Sequence, residues 1–569
     1  MPTTNTALPQ VIQGGMGVGV SGWQLARAVS RTGQLGVVSG TALGAVLARR
    51  LQLGDAGGDV RRALAAFPVP ALAAAVLERY YVPGGLADGE RFLTEPMLRV
   101  ERGEAADLLT VIGNFVEVWL AKEGHDGLVG VNYLEKIQLA LAPALFGAIL
   151  AGVDHVLVGA GVPGHIPDLA TRLSRAEPVT VKIAVDGDEA AYEHRFDPRA
   201  LLSTELSAPA AESESECGGG GGDGPCECGG AGKVRKGEDR RVQEVEIGAR
   251  PTPAGAVGTD VAAGGLGGDV AAGNPGADVA VAGNPGAEVV AGSLGADVVA
   301  GLKRPDVLAI VSLPVLASYL ARDEATKPDG FVIETHGAGG HSAPPRGALT
   351  LDDDGNPIYG PRDMPDLAKM SALGIPYWLA GGVAHPERLA AARAAGAAGV
   401  QVGSAFALCE DSGMTAELRT EVTSRARQGA LKVRNNPSAS PTAFPFKVAD
   451  LPGTLSEPTV AENRRRVCDL AYLRTPYRTP KGGIGYRCPA EPEAAYARKG
   501  GDPATTDGKL CLCNGLLATI GLGQRRPGGT VEPPVVTLGQ DLDFLNDLSA
   551  HGEAYTASDV VEWLVGARS

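Results

Sequence analysis

Three glycine-rich turns and one histidine carry the chemistry available to this chain. Residues 329–347, DGFVIETHGAGGHSAPPRG, run from an apolar stretch at 330–333 into Gly337, Gly339, Gly340 and His341. Glycines at a strand end let the backbone approach a flat ligand closely, and an imidazole exchanges a proton near neutral pH. Two further turns, LAGGVAHPE (379–387) and VQVGSAFAL (400–408), stand where a strand hands over to the next segment. His336 is the competing imidazole, but the glycines that precede His341 place the latter on the ligand side of the turn. No Ser-His-Asp order, metal-ligand cluster or P-loop is apparent, and GGMGVG at 14–19 fits the dinucleotide fingerprint poorly.

These turns need a scaffold of strands, and the sequence supplies one. Apolar runs at 9–15, 34–40, 127–133, 155–161 and 178–185 alternate with Ala/Leu-rich helical patterns, and the rhythm resumes at 306–312, 330–335, 376–382 and 399–405. Repeated βα units of this kind build a parallel sheet. Eight or nine strands close most economically as a (β/α)8 TIM barrel, with a doubly wound open sheet as the rival. Four segments are expected: 1–202 and 304–433 as the two parts of the barrel, 203–303 as an insertion, and 434–569 as a C-terminal appendage. The insertion is Gly/Ala/Pro-rich, with a degenerate repeat starting at Gly276, Gly286 and Gly295. Its few units lack bulky core residues, which favours a disordered segment over a small β-solenoid. The stretch at 477–492 reads as mostly loop.

In a βα barrel the active site lies at the C-terminal strand ends, and a phosphate commonly sits on the loops after strands seven and eight. Backbone N–H groups at Gly381, Gly382, Gly403 and Ser404 would converge there on one phosphate, aided by the helix that starts near Pro386. Gly14 and Gly15 would let a ring system lie against the backbone beside Met16. Asn132 could bond a ring carbonyl or cap its strand. Lys182 lies inside an apolar strand, where it either faces an electron-rich ligand in the barrel or reaches solvent from an edge.

The bulk properties narrow the partners. A chain of 569 residues with 51 basic and 66 acidic side chains carries a net charge of −15. That balance argues against nucleic acid or an anionic membrane and favours a small-molecule substrate. No signal peptide is visible and the longest apolar run, 139–153, is too short to span a bilayer, so a cytoplasmic protein is expected. Of the eight cysteines, Cys468, Cys488, Cys511 and Cys513 are spaced by 20, 23 and 2 residues. That spacing lacks the paired knuckles of most structural zinc sites, so free thiols are expected and no metal.

Taken together, PQVIQGGMGVGVSG, GAGGHS and IPYWLAGGVAHPERLAAARAAGAAGVQVGSAF, in that order, resemble the nitronate monooxygenase (2-nitropropane dioxygenase) family. The resemblance covers roughly residues 9–185 and 305–410. It implies a TIM barrel that holds FMN non-covalently and oxidises alkyl nitronates with O2 to a carbonyl compound and nitrite. The cofactor contacts expected are Gly14, Gly15, Met16, Asn132, Lys182, Gly339, Gly340, Gly381, Gly382, Gln401, Gly403 and Ser404, with His341 as the catalytic residue. The same motif order also looks like FMN- and NAD(P)H-dependent enoyl-thioester reductases, including trans-acting ones of fatty acid or polyketide synthases. A homo-oligomer or a docking component of a biosynthetic assembly stays open. The chain departs from the family pattern at Gly337, where an acidic residue is usual, and in its insertion and C-terminal region.

Overall fold

The computed structural model describes residues 8–101, 103–188, 191–203, 295–324, 326–548 and 554–566. Strands β1 (Val11–Gln13), β2 (Gly36–Ser39), β3 (Val129–Leu134) and β4 (His155–Gly159) form as the apolar runs predict. Next come β5 (Val179–Ile183) and β6 (Tyr192–Phe196), then β7 (Asp306–Val311), β8 (Gly330–Glu334), β9 (Tyr377–Ala380) and β10 (Gly399–Val402). Eight of these make one parallel sheet, in the order β1-β10-β9-β8-β7-β4-β3-β2. The seam between β1 and β2 is closed by a parallel bridge from Ile12 to Leu35, with Gln13 N–H donating to Leu35 O at 2.9 Å. Side-chain amides extend the seam: Val37 N–H donates to Gln13 Oε1 and Val11 N–H to Gln34 Oε1, each at 2.9 Å. The sheet is therefore a closed eight-strand barrel, not the open doubly wound alternative.

Strand periodicity sorts the side chains. Ile12, Val37, Leu157, Leu308, Val332 and Trp378 fill the barrel interior, while their neighbours, among them Val11, Val38, Val156, Phe331 and Tyr377, pack outward under the helices. The helical layer includes Trp23–Arg31, Glu104–Lys122, Gln138–Leu150, Ile166–Leu173 and Pro386–Ala394. No helix among the described residues is long and apolar enough to cross a membrane.

Three expectations change. First, β5 is a strand but not a barrel strand: it pairs antiparallel with β6 in a separate hairpin, so nine predicted strands become eight in the barrel. Second, 477–492 is mostly loop, as expected, but it also holds strand residues at 477–478 and 484–487. A hairpin of β13 (Thr475–Arg478) and β14 (Ile484–Arg487) turns at Thr479–Gly483 and follows a hairpin of β11 (Val433–Asn436) and β12 (Phe446–Ala449). Third, the C-terminal region is additional to the barrel but is not peripheral. Its last helix, Ala557–Val565, opens with a Thr556–Asp559 capping box and packs on Trp23–Arg31 and Pro386–Ala394. Its interior also holds a buried ion network: Arg526 donates to both carboxylate oxygens of Asp469, at 2.9 and 2.6 Å, and to Glu532, which also receives Arg464.

The insertion expected at 203–303 lies almost wholly outside the described residues. Its described end forms a short helix, Ala296–Gly301, leading into β7. Cys468, Cys488, Cys511 and Cys513 are free and buried or half-buried, and burial pushes the Cys488 thiol up to about 12.

Candidate active site

The C-terminal ends of the barrel strands open into a cavity of about 470 Å³. Its floor is a polar row built by strand register. Glu334 ends β8 and pairs with Ala380 of β9, which pairs with Gln401 of β10. Ala380 belongs to the interior cluster, and residues in register share a face, so Glu334 and Gln401 point inward on either side of a methyl group. Asn132 on β3 joins them at the cavity wall. Asn132 Oδ1 and Gln401 Oε1 are buried and accept no hydrogen bond from the described residues. Leaving such atoms unsatisfied costs roughly 1–3 kcal/mol each, and both belong to residues of the cavity wall. Gly15 makes room for this arrangement, because a Cβ there would lie 2.0 Å from Asn132 Oδ1.

The two downstream glycine turns meet on one side of the cavity. Gly381 has φ +97°, and a Cβ on it would lie 2.3 Å from Thr335 Oγ1, so only glycine fits. Gly403 leads into Ser404, whose hydroxyl accepts the Gly539 N–H at 2.8 Å. Arg388 bridges Gly382 O and Asp541. Thus the segment around 537–541, part of the expected appendage, lies against these two glycine turns and lines the cavity with Thr537, Leu538, Gly539 and Asp541. Gly337 has its own reason to be small: a Cβ there would stand 3.2 Å from the Gly381 carbonyl carbon.

His341 also lines the cavity. Its Nε2 hydrogen-bonds Ser440 Oγ at 2.7 Å, and its ring meets Phe446 edge-on at 4.8 Å between centroids. Burial, with the Lys136 ammonium nearby, lowers its pKa to about 3, so the imidazole is neutral across the physiological range. Lys136 itself rests over the Phe444 ring. His336 takes no part in the wall: it stacks on Tyr359 at 4.2 Å.

Two ionisable groups emerge that the motifs did not flag. Burial raises the Glu334 carboxyl to about 7, against the pull of Lys447 toward ionisation. Lys447 on β12 is fully buried, donates to His336 O and, at 2.8 Å, to Ser342 Oγ, and is lowered to about 8 by burial. Glu334 had a visible signal, a carboxylate closing an otherwise apolar barrel strand. Lys447, Ser440, Phe446 and Gly539 had none, because each reaches the site from the C-terminal region through tertiary folding.

Gly14, Gly15, Met16, Asn132, Gly339, Gly340, Gly381, Gly382, Gln401, Gly403 and Ser404 all line this one cavity with His341. Lys182 does not. It is exposed on β5, opposite Glu193 of β6, outside the barrel sheet. The lysine alternates with the buried Val181 and Ile183 on a strand with one wet face, and its ammonium stays in solvent.

The closed barrel and the cavity at its C-terminal strand ends define a TIM-barrel protein with its pocket where the active sites of this fold lie. Residues 269–437, the segment that carries His341 and both downstream glycine turns, match the family model described as nitronate monooxygenase. No curated protein matches the sequence. Among solved structures, the chain is similar to FabK from Thermotoga maritima at 13% identity, covering 99% of this chain and 94% of that one with a TM-score of 0.40. It is also similar to nitroalkane oxidase from Streptomyces ansochromogenes, at 14% identity, with 99% and 96% covered and a TM-score of 0.40. The enoyl reductase domain of MlnA from the macrolactin biosynthesis cluster of Bacillus amyloliquefaciens shows 11% identity, 99% and 95% coverage, and a TM-score of 0.39.

Proposed function

We propose that the cavity binds FMN and that the protein oxidises alkyl nitronates with O2 to a carbonyl compound and nitrite. The observation that carries this reading is the convergence of Asn132 and Gln401, each with a buried amide oxygen that lacks a partner, on the cavity lined by the glycine turns after the seventh and eighth barrel strands. The family match over 269–437 supports it. The residues fit the cofactor. Gly381, Gly382, Gly403 and Ser404 would hold the phosphate, Asn132 and Gln401 the polar edge of the ring, and Gly14, Gly15 and Met16 a ring face. FMN, when bound, supplies the electron transfer between substrate and O2.

The chain's own residues do the rest. Neutral His341 adds no charge to the pocket and can present one ring nitrogen to a nitro oxygen while Ser440 holds the other. Lys447 sets the local potential against which an anionic substrate binds. Phe444, Phe446, Leu516 and Phe544 on the wall keep the pocket apolar and poor in water.

The test is spectroscopic. The full chain supplied with FMN should purify yellow, bleach anaerobically with ethyl nitronate and release nitrite when air is admitted. A preparation that stays colourless with FMN overturns the proposal. Bleaching by NADPH but not by ethyl nitronate replaces it with the enoyl-thioester reductase reading.

A further inference from the structure

We infer that Glu334, not His341, takes the proton from carbon when this site receives a neutral nitroalkane, leaving His341 to hold the nitro group. This deepens the reading just given and rests on it.

Position is the first reason. Glu334 ends its strand on the inward face, lines the cavity, and sits in the same register row as Gln401. Among the described residues its carboxyl accepts no hydrogen bond, although Lys447 lies close enough to act on it electrostatically. Lys447 spends its donors on His336 O and Ser342 Oγ instead. The carboxylate oxygens therefore face the cavity with lone pairs free, backed by a cation that does not cap them. His341 is in the opposite condition, with Nε2 engaged by Ser440 and its ring wedged on Phe446.

The charge accounting is the second reason. The carbon–hydrogen bond α to the nitro group breaks, an O–H bond forms on Glu334, and the electron pair moves into the nitro oxygens. One negative charge leaves the carboxylate and appears on the nitronate, while Lys447 stays cationic, so the net charge of the pocket does not change. With His341 as base, a cation would form in a pocket that already resists protonating that ring. A base is most effective when its pKa lies near the working pH, and burial holds Glu334 at about 7. The titratable groups around it are Lys447 and the imidazoles of His336 and His341, both lowered by burial; Asp541, also on the wall, is spent on Arg388.

Three readouts on the FMN-loaded full chain test this. Exchange of the α-hydrogens of nitroethane in D2O without O2, followed by NMR, should be catalysed by wild type and lost in Glu334→Gln. Nitrite formation from nitroethane relative to ethyl nitronate should fall about 100-fold or more in Glu334→Gln, with partial recovery in Glu334→Asp, whereas His341→Ala should lower both rates together. An infrared titration, with or without FMN, should show a protonated carboxyl band that vanishes as pH rises through about 7 and is missing in Glu334→Gln. Exchange that survives Glu334→Gln, or a wild type that catalyses none, overturns the inference. So does the absence of a Glu334 band titrating near neutrality. Exchange lost in Glu334→Gln while wild type never forms nitrite leaves the inference standing and removes the oxidase reading.

Discussion

A histidine that stays neutral down to about pH 3 couples the site to the stability of the fold. Unfolded, the His341 ring takes a proton below about 6.5; folded, it does not until about 3. Between those values the unfolded state binds more protons, so this residue's contribution to stability is lost as pH falls from about 6.5 toward 3. The slope is at most about 1.4 kcal/mol per pH unit for one site. Urea midpoints of wild type should therefore drop more steeply with acidification than those of His341→Gln, which has no proton to gain. Lys447 works in the other direction on its neighbour. Its charge favours the ionised form of Glu334, so Lys447→Met should move the infrared midpoint of that carboxyl upward.

Among the elements, the strand ends decide what binds. At Gly381 the left-handed backbone and the nearby Thr335 hydroxyl both exclude a side chain, so Gly381→Ala must displace one turn of the proposed phosphate cradle. It should weaken FMN retention at least about tenfold, read as flavin absorbance per protein after gel filtration, a loss of roughly 1.4 kcal/mol or more. Lys182→Ala should leave flavin content unchanged and stability within about 0.5 kcal/mol, because that lysine points into solvent from a hairpin outside the barrel. The difference between β5 and the true barrel strands was legible in part. VTVKI alternates apolar and polar residues, which suits a strand with one wet face, whereas VLAIV and FVI are apolar throughout, as strands covered on both faces are. The turn of β13 and β14 was also written in Pro480, Gly482 and Gly483, but flanking strands of four residues are too short to show a period.

Across the whole molecule, the C-terminal region makes the site as much as the barrel does. Gly539 touches Ser404, 135 positions earlier, and a Cβ on it would lie 2.9 Å from Gly337 O and 3.2 Å from the Ser404 hydroxyl. Gly539→Val should lift this segment off the cradle, lowering FMN affinity while global unfolding shifts far less; equilibrium flavin titration beside urea denaturation separates the two effects. The region is anchored independently by Arg526, Asp469, Glu532 and Arg464. Arg526→Met strands the buried Asp469 carboxylate and leaves Glu532 with Arg464 alone, and should cost about 3–5 kcal/mol in the same denaturation experiment. The sequence by itself determined the repeated βα units and the glycine turns at their ends, since these rest on local periodicity and on backbone conformations that only certain residues adopt. Tertiary structure decided the closure into eight strands, the departure of Lys182 from the site, and the arrival of Lys447, Ser440, Phe446 and Gly539 beside it. It also set the ionisation of Glu334 and His341, because burial and charge depend on which distant segments meet, and no local pattern records that.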